Sequence, residues 1–143
     1  MNVEEVMTKD VVVITKGASV KDAIDSIVQF HVGCVLVIEN STAIGIVTER
    51  DVLKKVISPG KDPNLLKVED IMSTPLVTVE PDSSIEAAGA LMVENNIKKL
   101  PVVRDGELVG ILTATDIVAN EPRHVIELSE LMLKSGVEAG VGG

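Results

Sequence analysis

"GIVTERDVL" occupies residues 45–53 and "GILTATDIV" occupies residues 110–118. Each opens on glycine, runs through aliphatic residues to a threonine, and places an aspartate three positions further on. Working outward, the same register, Val3 over Val68 and an offset of 65 residues, holds without a gap to Leu53 over Val118. Identities fall at Val3/Val68, Glu4/Glu69, Met7/Met72, Ser19/Ser84, Ala23/Ala88, Gly45/Gly110, Ile46/Ile111, Thr48/Thr113 and Asp51/Asp116, and most other pairs exchange one aliphatic residue for another. A repeat of this period is one supersecondary unit written twice.

Within each copy the periodicity changes in the same order. "VVVI" (11–14) and "LVTV" (76–79) read as short strands, each followed by a turn rich in Gly, Pro, Asp or Ser. Val20, Ala23, Ile24, Ile27 and Val28, matched by Ile85, Ala88, Met92 and Val93, give the spacing of an amphipathic helix. Ser19 with Asp22, and Ser83 with Glu86, have the spacing of capping boxes. "CVLVI" (34–38) and "LPVV" (100–103) read as strands that turn at "ENSTA" and "RDGE" and return as "IGIV" and "LVGIL". A second helix is expected near Asp51 and near Asp116. The fold class is therefore α/β (α+β), with two β-α-β-β-α repeats over 1–57 and 66–120 and a Pro/Gly-rich linker, "SPGKDPN", in 58–65. Beyond the repeat, in 121–143, "RHVIELSELMLKSG" predicts a packing or dimerising helix and "GVEAGVGG" a flexible tail. Roughly 55 residues bury too little apolar area to fold alone, so the halves are expected to pack sheet to sheet about a pseudo-twofold axis. That arrangement leaves two equivalent clefts, where small molecules commonly sit.

The composition narrows the function. Of 143 residues 45% are hydrophobic and Phe30 is the lone aromatic, so the core must be aliphatic. No apolar run approaches the roughly 18 to 20 residues that span a bilayer, and a secretory leader is not evident, so a cytoplasmic location is expected. A net charge of −9 argues against duplex DNA or an anionic membrane as partner. A small anion needs only two or three local donors and is compatible with that charge. Cys34, in "GCVLVI", reads as a buried inert thiol, because neither His31 nor any other base stands at an activating spacing. "NST" at 40–42 reads as a turn. There is no Walker loop, no His/Cys set at metal-ligand spacing and no nucleophile with a base, so no enzyme activity and no cofactor are expected.

The repeated chemistry is Thr-x-x-Asp, as Thr48-Glu49-Arg50-Asp51 and Thr113-Ala114-Thr115-Asp116. One reading is a capping box, in which the threonine accepts from a backbone N–H three residues on and the acid binds back. The other is a nucleotide site: the hydroxyl and the helix amides face a phosphate, and the two carboxylate oxygens meet the two hydroxyls of a ribose. Both can hold, in different bound states.

The gapless doubling, "VMTKDVVVI" and "IMSTPLVTV" ahead of the first strands, "KKLPVV" at 98–103 and the two Gly-x-x-Thr-x-x-Asp segments together resemble a tandem pair of CBS (cystathionine β-synthase type) domains, a Bateman module. The resemblance covers about residues 1–120. It implies a regulatory module that binds an adenosyl ligand, most usually AMP, ADP or ATP, with S-adenosylmethionine or NAD-type ligands in other members. Carried over by position, Asp51 and Asp116 would hold ribose, and Thr48 and Thr113 phosphate, with Thr115 inside the second motif. The base would lie among Val11, Val12, Cys34 and Val35 in the first repeat and Leu76, Leu100 and Pro101 in the second. Lys98 and Lys99 stand where relatives often carry a basic residue; Gly33 and Cys34 replace them in the first repeat, and Arg50 is the candidate substitute. The resemblance further implies a homodimer and a regulated protein partner that the sequence does not name. The alternatives from other classes are a structural interaction module without a ligand and a nucleic-acid binder.

Overall fold

The structure, a computed structural model, describes residues 1–120 and 130–133. It is a mixed α/β fold of two small units built on the same plan. In chain order the elements are α1 (Val3–Val6), β1 (Val13–Thr15), α2 (Val20–Phe30), β2 (Cys34–Glu39), β3 (Thr42–Thr48), α3 (Glu49–Val52), α4 (Val68–Ile71), α5 (Ile85–Asn95), β4 (Lys99–Arg104), β5 (Glu107–Thr113) and α6 (Ala114–Asn120). A π-helical turn, Leu53–Ile57, continues α3 and closes with Ser58 N–H donating to the Leu53 carbonyl at 2.8 Å.

The packed units do not divide the chain where the repeats do. One consists chiefly of Asp10–Leu76; the other joins Met1–Lys9 to Val77–Asp105 and the chain from Val109. The repeats 1–57 and 66–120 are thus units of sequence, and each gives its opening segment to the unit built by the other. Backbone pairing shows why. Thr8 and Ile111 exchange two hydrogen bonds of 2.9 Å along β5, and Ser73 and Ile46 do the same along β3 at 2.8 and 3.2 Å. The linker 58–65 accordingly belongs to the first unit, where Pro63 and Leu66 carbonyls accept from Lys21 and Val20 at the start of α2.

These lead-in segments also account for two of the repeated identities. A Cβ placed on Gly110 would sit 2.6 Å from Met7 Sδ and 2.9 Å from the Thr8 carbonyl oxygen, and one on Gly45 would collide with Met72 Sδ. Glycine is required at both positions by the methionine and backbone laid across the strand, and the methionine fills the space that a side chain would take. Gly110→Ala is expected to lower stability by about 1–3 kcal/mol through overpacking, readable as a lower urea midpoint.

In the first unit β1 runs parallel to β2, which pairs antiparallel with β3. The two-residue turn Asn40-Ser41 has both φ values positive, 51° and 66°, the geometry that joins twisted strands most directly. Asp105-Gly106 repeats it at 51° and 82°. Val20, Ala23, Val35, Val37, Val47, Val56 and Val68 are fully buried there, an almost entirely valine core. In the second unit Val3, Ile85, Met92, Leu100, Leu112 and Ile117 form the corresponding cluster. Residues 130–133 are helical and Leu131 joins that cluster; the expectations for the remainder of 121–143 fall outside the described residues.

Two expectations are corrected. The strand read at "LVTV" (76–79) is reduced to pairing at Val79, whose N–H donates to the Pro101 carbonyl at 3.1 Å and whose carbonyl accepts from Val103 at 2.9 Å. In the first unit the corresponding ladder continues through Leu36 N–H to the Val12 carbonyl at 2.9 Å. Pro101 occupies the Leu36 position in the second repeat and has no N–H to give, so the strand cannot extend toward Val77. The second correction concerns the cap of α5. Ser84, not Ser83, is the N-cap, accepting from Ala87 N–H at 3.1 Å. The residue three positions on is alanine, so no reciprocal acid completes a box there, whereas Ser19 and Asp22 form both bonds on α2, at 3.0 and 3.4 Å.

Candidate functional site

Each Thr-x-x-Asp begins a helix. Thr48 closes β3 and caps α3: its N–H donates to Asp51 Oδ2 at 2.9 Å and its Oγ1 accepts from Asp51 N–H at 3.1 Å. Thr113 closes β5, with the same two bonds to Asp116 at 2.9 and 3.1 Å. The capping-box reading is therefore realised twice. The start of each helix is further fixed by the residue that leads into the neighbouring strand, β2 or β4, since Glu49 N–H donates to the Gly33 carbonyl at 3.1 Å and Ala114 N–H to the Lys98 carbonyl at 2.8 Å.

In the first unit the candidate residues converge. Cys34 lies directly opposite Thr48 in the β2–β3 register and Val35 opposite Val47, while the Val12 carbonyl bonds to the next residue of β2, Leu36. Val35 is fully buried in the core and Cys34 nearly so, so neither presents a side chain at the surface of this unit. Val11 and Val12 are half-buried, and Arg50 projects from α3 to solvent with no ion pair among the described residues.

In the second unit Lys98 precedes β4 and Lys99 opens it, both half-buried and neither paired with a carboxylate among the described residues. The Lys98 carbonyl sets the first turn of α6, which places this lysine beside Thr113 in the chain path. Leu100 and Pro101 follow into the core and Thr115 is exposed on α6. Leu76 is half-buried and immediately precedes Val77, which packs against the cluster that holds Leu100.

The sequence reading missed two side chains. Ser73 donates to Asp51 Oδ1 at 3.0 Å, and Lys55 Nζ lies 3.1 Å from the same oxygen while donating to the Ile71 carbonyl at 2.8 Å. Lys55 stands four residues after Asp51 on the helix, a spacing that could have been noticed. Ser73 could not, since it reaches Asp51 only through the lead-in exchange. The first unit also carries an open apolar groove lined by Ile24, Ile27, Val28, His31, Val32 and Leu53. Val28 (68%), Leu53 (61%), Phe30 (53%) and Ile57 (53%) are largely exposed on α2 and the π-helical turn, although every one is large and apolar. Among the described residues no group of His, Cys, Asp and Glu could hold a metal ion.

The doubled β-α-β-β-α plan, with its exchanged lead-ins and paired threonine caps, coincides with the description CBS domain at residues 3–58 and again at 68–122. The chain belongs to the CBS-domain family. It is a tandem CBS pair. An uncharacterised protein of Methanopyrus kandleri is 38% identical over 136 residues, 94% of this chain and 69% of the relative. A conserved CBS-domain protein of unknown function from Thermoplasma acidophilum superposes with a TM-score of 0.82 at 25% identity, covering 92% of this chain and 75% of that one. A CBS domain pair solved in complex with 5′-methylthioadenosine and S-adenosyl-L-methionine shares the fold, with a TM-score of 0.75 at 23% identity over 83% of this chain and 94% of that one. No helix among the described residues is long and apolar enough to cross a membrane.

Proposed function

We propose that this CBS pair is a non-catalytic cytoplasmic regulatory module that binds an adenosyl ligand, with AMP, ADP and ATP as the first candidates, and reports its occupancy to a protein partner. The observation that carries the reading is the placement of a threonine hydroxyl and an aspartate carboxylate together at the end of a strand and the start of a helix. In the second unit the half-buried Lys98 and Lys99 lie in the segment that fixes that same helix start. Hydroxyl, helix amides and ammonium suit a phosphate, and a carboxylate suits a ribose diol. A pair of the same fold accepts adenosyl compounds without a phosphate, so the nucleoside is the common part and the group beyond it sets the choice.

The response is linkage: a ligand that binds one arrangement of the chain more tightly than another shifts their populations and changes the surface a partner meets. Homodimerisation belongs to the same proposal, with the apolar groove lined by Val28 and Leu53, both largely exposed, as its support. The acidic net charge of −9 weighs against nucleic acid. A purely structural module predicts no ligand response, and thermal unfolding separates the two readings. A nucleotide present at about 100 times its dissociation constant adds about 2.7 kcal/mol to stability, so AMP, ADP, ATP, S-adenosylmethionine and NADH at millimolar concentration are the panel. One or more is expected to raise the melting temperature by several degrees. A flat response to all five would leave the structural module as the better reading.

A further inference from the structure

The two Thr-x-x-Asp motifs are alike in sequence and differ in what their free valences do. In each, one carboxylate oxygen caps the helix. The second oxygen decides whether a ligand hydroxyl can be received. Asp51 Oδ1 already accepts from Ser73 Oγ at 3.0 Å and faces Lys55 Nζ at 3.1 Å, and the Thr48 hydroxyl donates inward to Asp51 Oδ2 at 3.1 Å. Lys55 is held in turn by the Ile71 carbonyl at 2.8 Å. Asp51 is 8% exposed, the lone buried charged side chain among the described residues.

Asp116 has none of these partners. Its Oδ1 accepts no hydrogen bond among the described residues, its side chain is half-buried, and the Thr113 hydroxyl accepts from Asp116 N–H without donating back. The repeat register explains the contrast: Asn120 stands where Lys55 would be and bonds instead to the Asp116 carbonyl at 2.8 Å, and Thr8 stands at the position of Ser73.

We infer that Asp51 is a structural clasp, closed by Lys55 and Ser73, and that the chain takes one nucleoside, on Asp116. A ribose hydroxyl arriving at Asp51 would have to displace an ammonium and a hydroxyl from a buried carboxylate, exchanging an ion pair for a bond from an uncharged donor. At Asp116 an oxygen that accepts no bond from any described residue can receive it. The inference deepens the adenosyl reading proposed above and rests on it for the identity of the ligand, while the clasp itself is testable without any ligand.

The test combines calorimetric titration with AMP and thermal unfolding. The full chain is expected to bind one AMP, and Asp116→Ala, or Asp116→Asn if the alanine variant does not fold, to weaken it at least tenfold, about 1.4 kcal/mol. Two equivalents per chain, or undiminished binding in a folded Asp116 variant, would overturn the assignment. Should AMP at millimolar concentration give no heat with the unaltered chain, the adenosyl reading fails for AMP and the ligand-free arm decides the clasp. Asp51→Asn is expected to lower the melting temperature by at least about 5 °C more than Asp116→Asn, because it removes the buried charge that Lys55 faces and that Ser73 and Thr48 donate to. Equal losses in the two variants would show that Asp51 is an ordinary cap.

Discussion

Deleting Met1–Lys9 is expected to destabilise the unit built from the second repeat far more than the first unit, whose strand pairing it does not touch. The segment belongs to the first repeat in sequence and to the second unit in space. It contributes Val3, fully buried among Ile85, Met92 and Leu100, and backbone bonds from Val3 to Ser83, from Glu4 to Pro81 and between Thr8 and Ile111. Burying one valine contributes about 1.5–3 kcal/mol and each net hydrogen bond about 0.5–1.5 kcal/mol. Their sum rivals the 5–15 kcal/mol typical of a whole domain. Amide spectra should therefore lose the dispersed signals of Ile85–Asn120 and keep those of Val13–Thr48. A repeat-by-repeat organisation predicts the reverse, with damage confined to the first unit.

Leu112→Ala should carry a large core-truncation cost. Leu112 lies on β5, is fully buried, and packs in the cluster of Ile85, Met92, Leu100 and Ile117. With no polar group to rearrange and an aliphatic core closed around it, the cavity would collapse only in part. The expected loss is about 2–5 kcal/mol, measured as a lower urea midpoint with unchanged slope. Leu65→Ala is the control, since Leu65 is 82% exposed and the same truncation should change stability by less than about 0.5 kcal/mol.

How much of this was legible in the sequence can be argued residue by residue. The doubling, the order of elements and both threonine caps follow from local pattern, because Thr48 and Asp51, like Thr113 and Asp116, interact three residues apart. Long-range facts were not legible. The pairing of Ser73 with Ile46 and of Thr8 with Ile111 is set by chain topology, and the repeat register alone assigns those segments to the wrong packed unit. The clasp on Asp51 depends on that same topology, since Ser73 lies 22 positions away. Pro101 is an intermediate case: its missing N–H is visible in the sequence, but its effect on Val77 appears only when the ladder partner is known.

The central claim is that a carboxylate of the repeated motif receives the ribose of an adenosyl ligand. Comparing AMP with 2′,3′-dideoxy-AMP by calorimetric titration of the unaltered chain tests it most directly, because the two ligands differ only in the hydroxyls that the carboxylate is said to hold. Loss of two hydrogen bonds to a charged group is expected to weaken binding by at least tenfold, about 1.4 kcal/mol or more. Equal affinity for the two ligands would contradict the claim and leave Thr48-Asp51 and Thr113-Asp116 as helix caps.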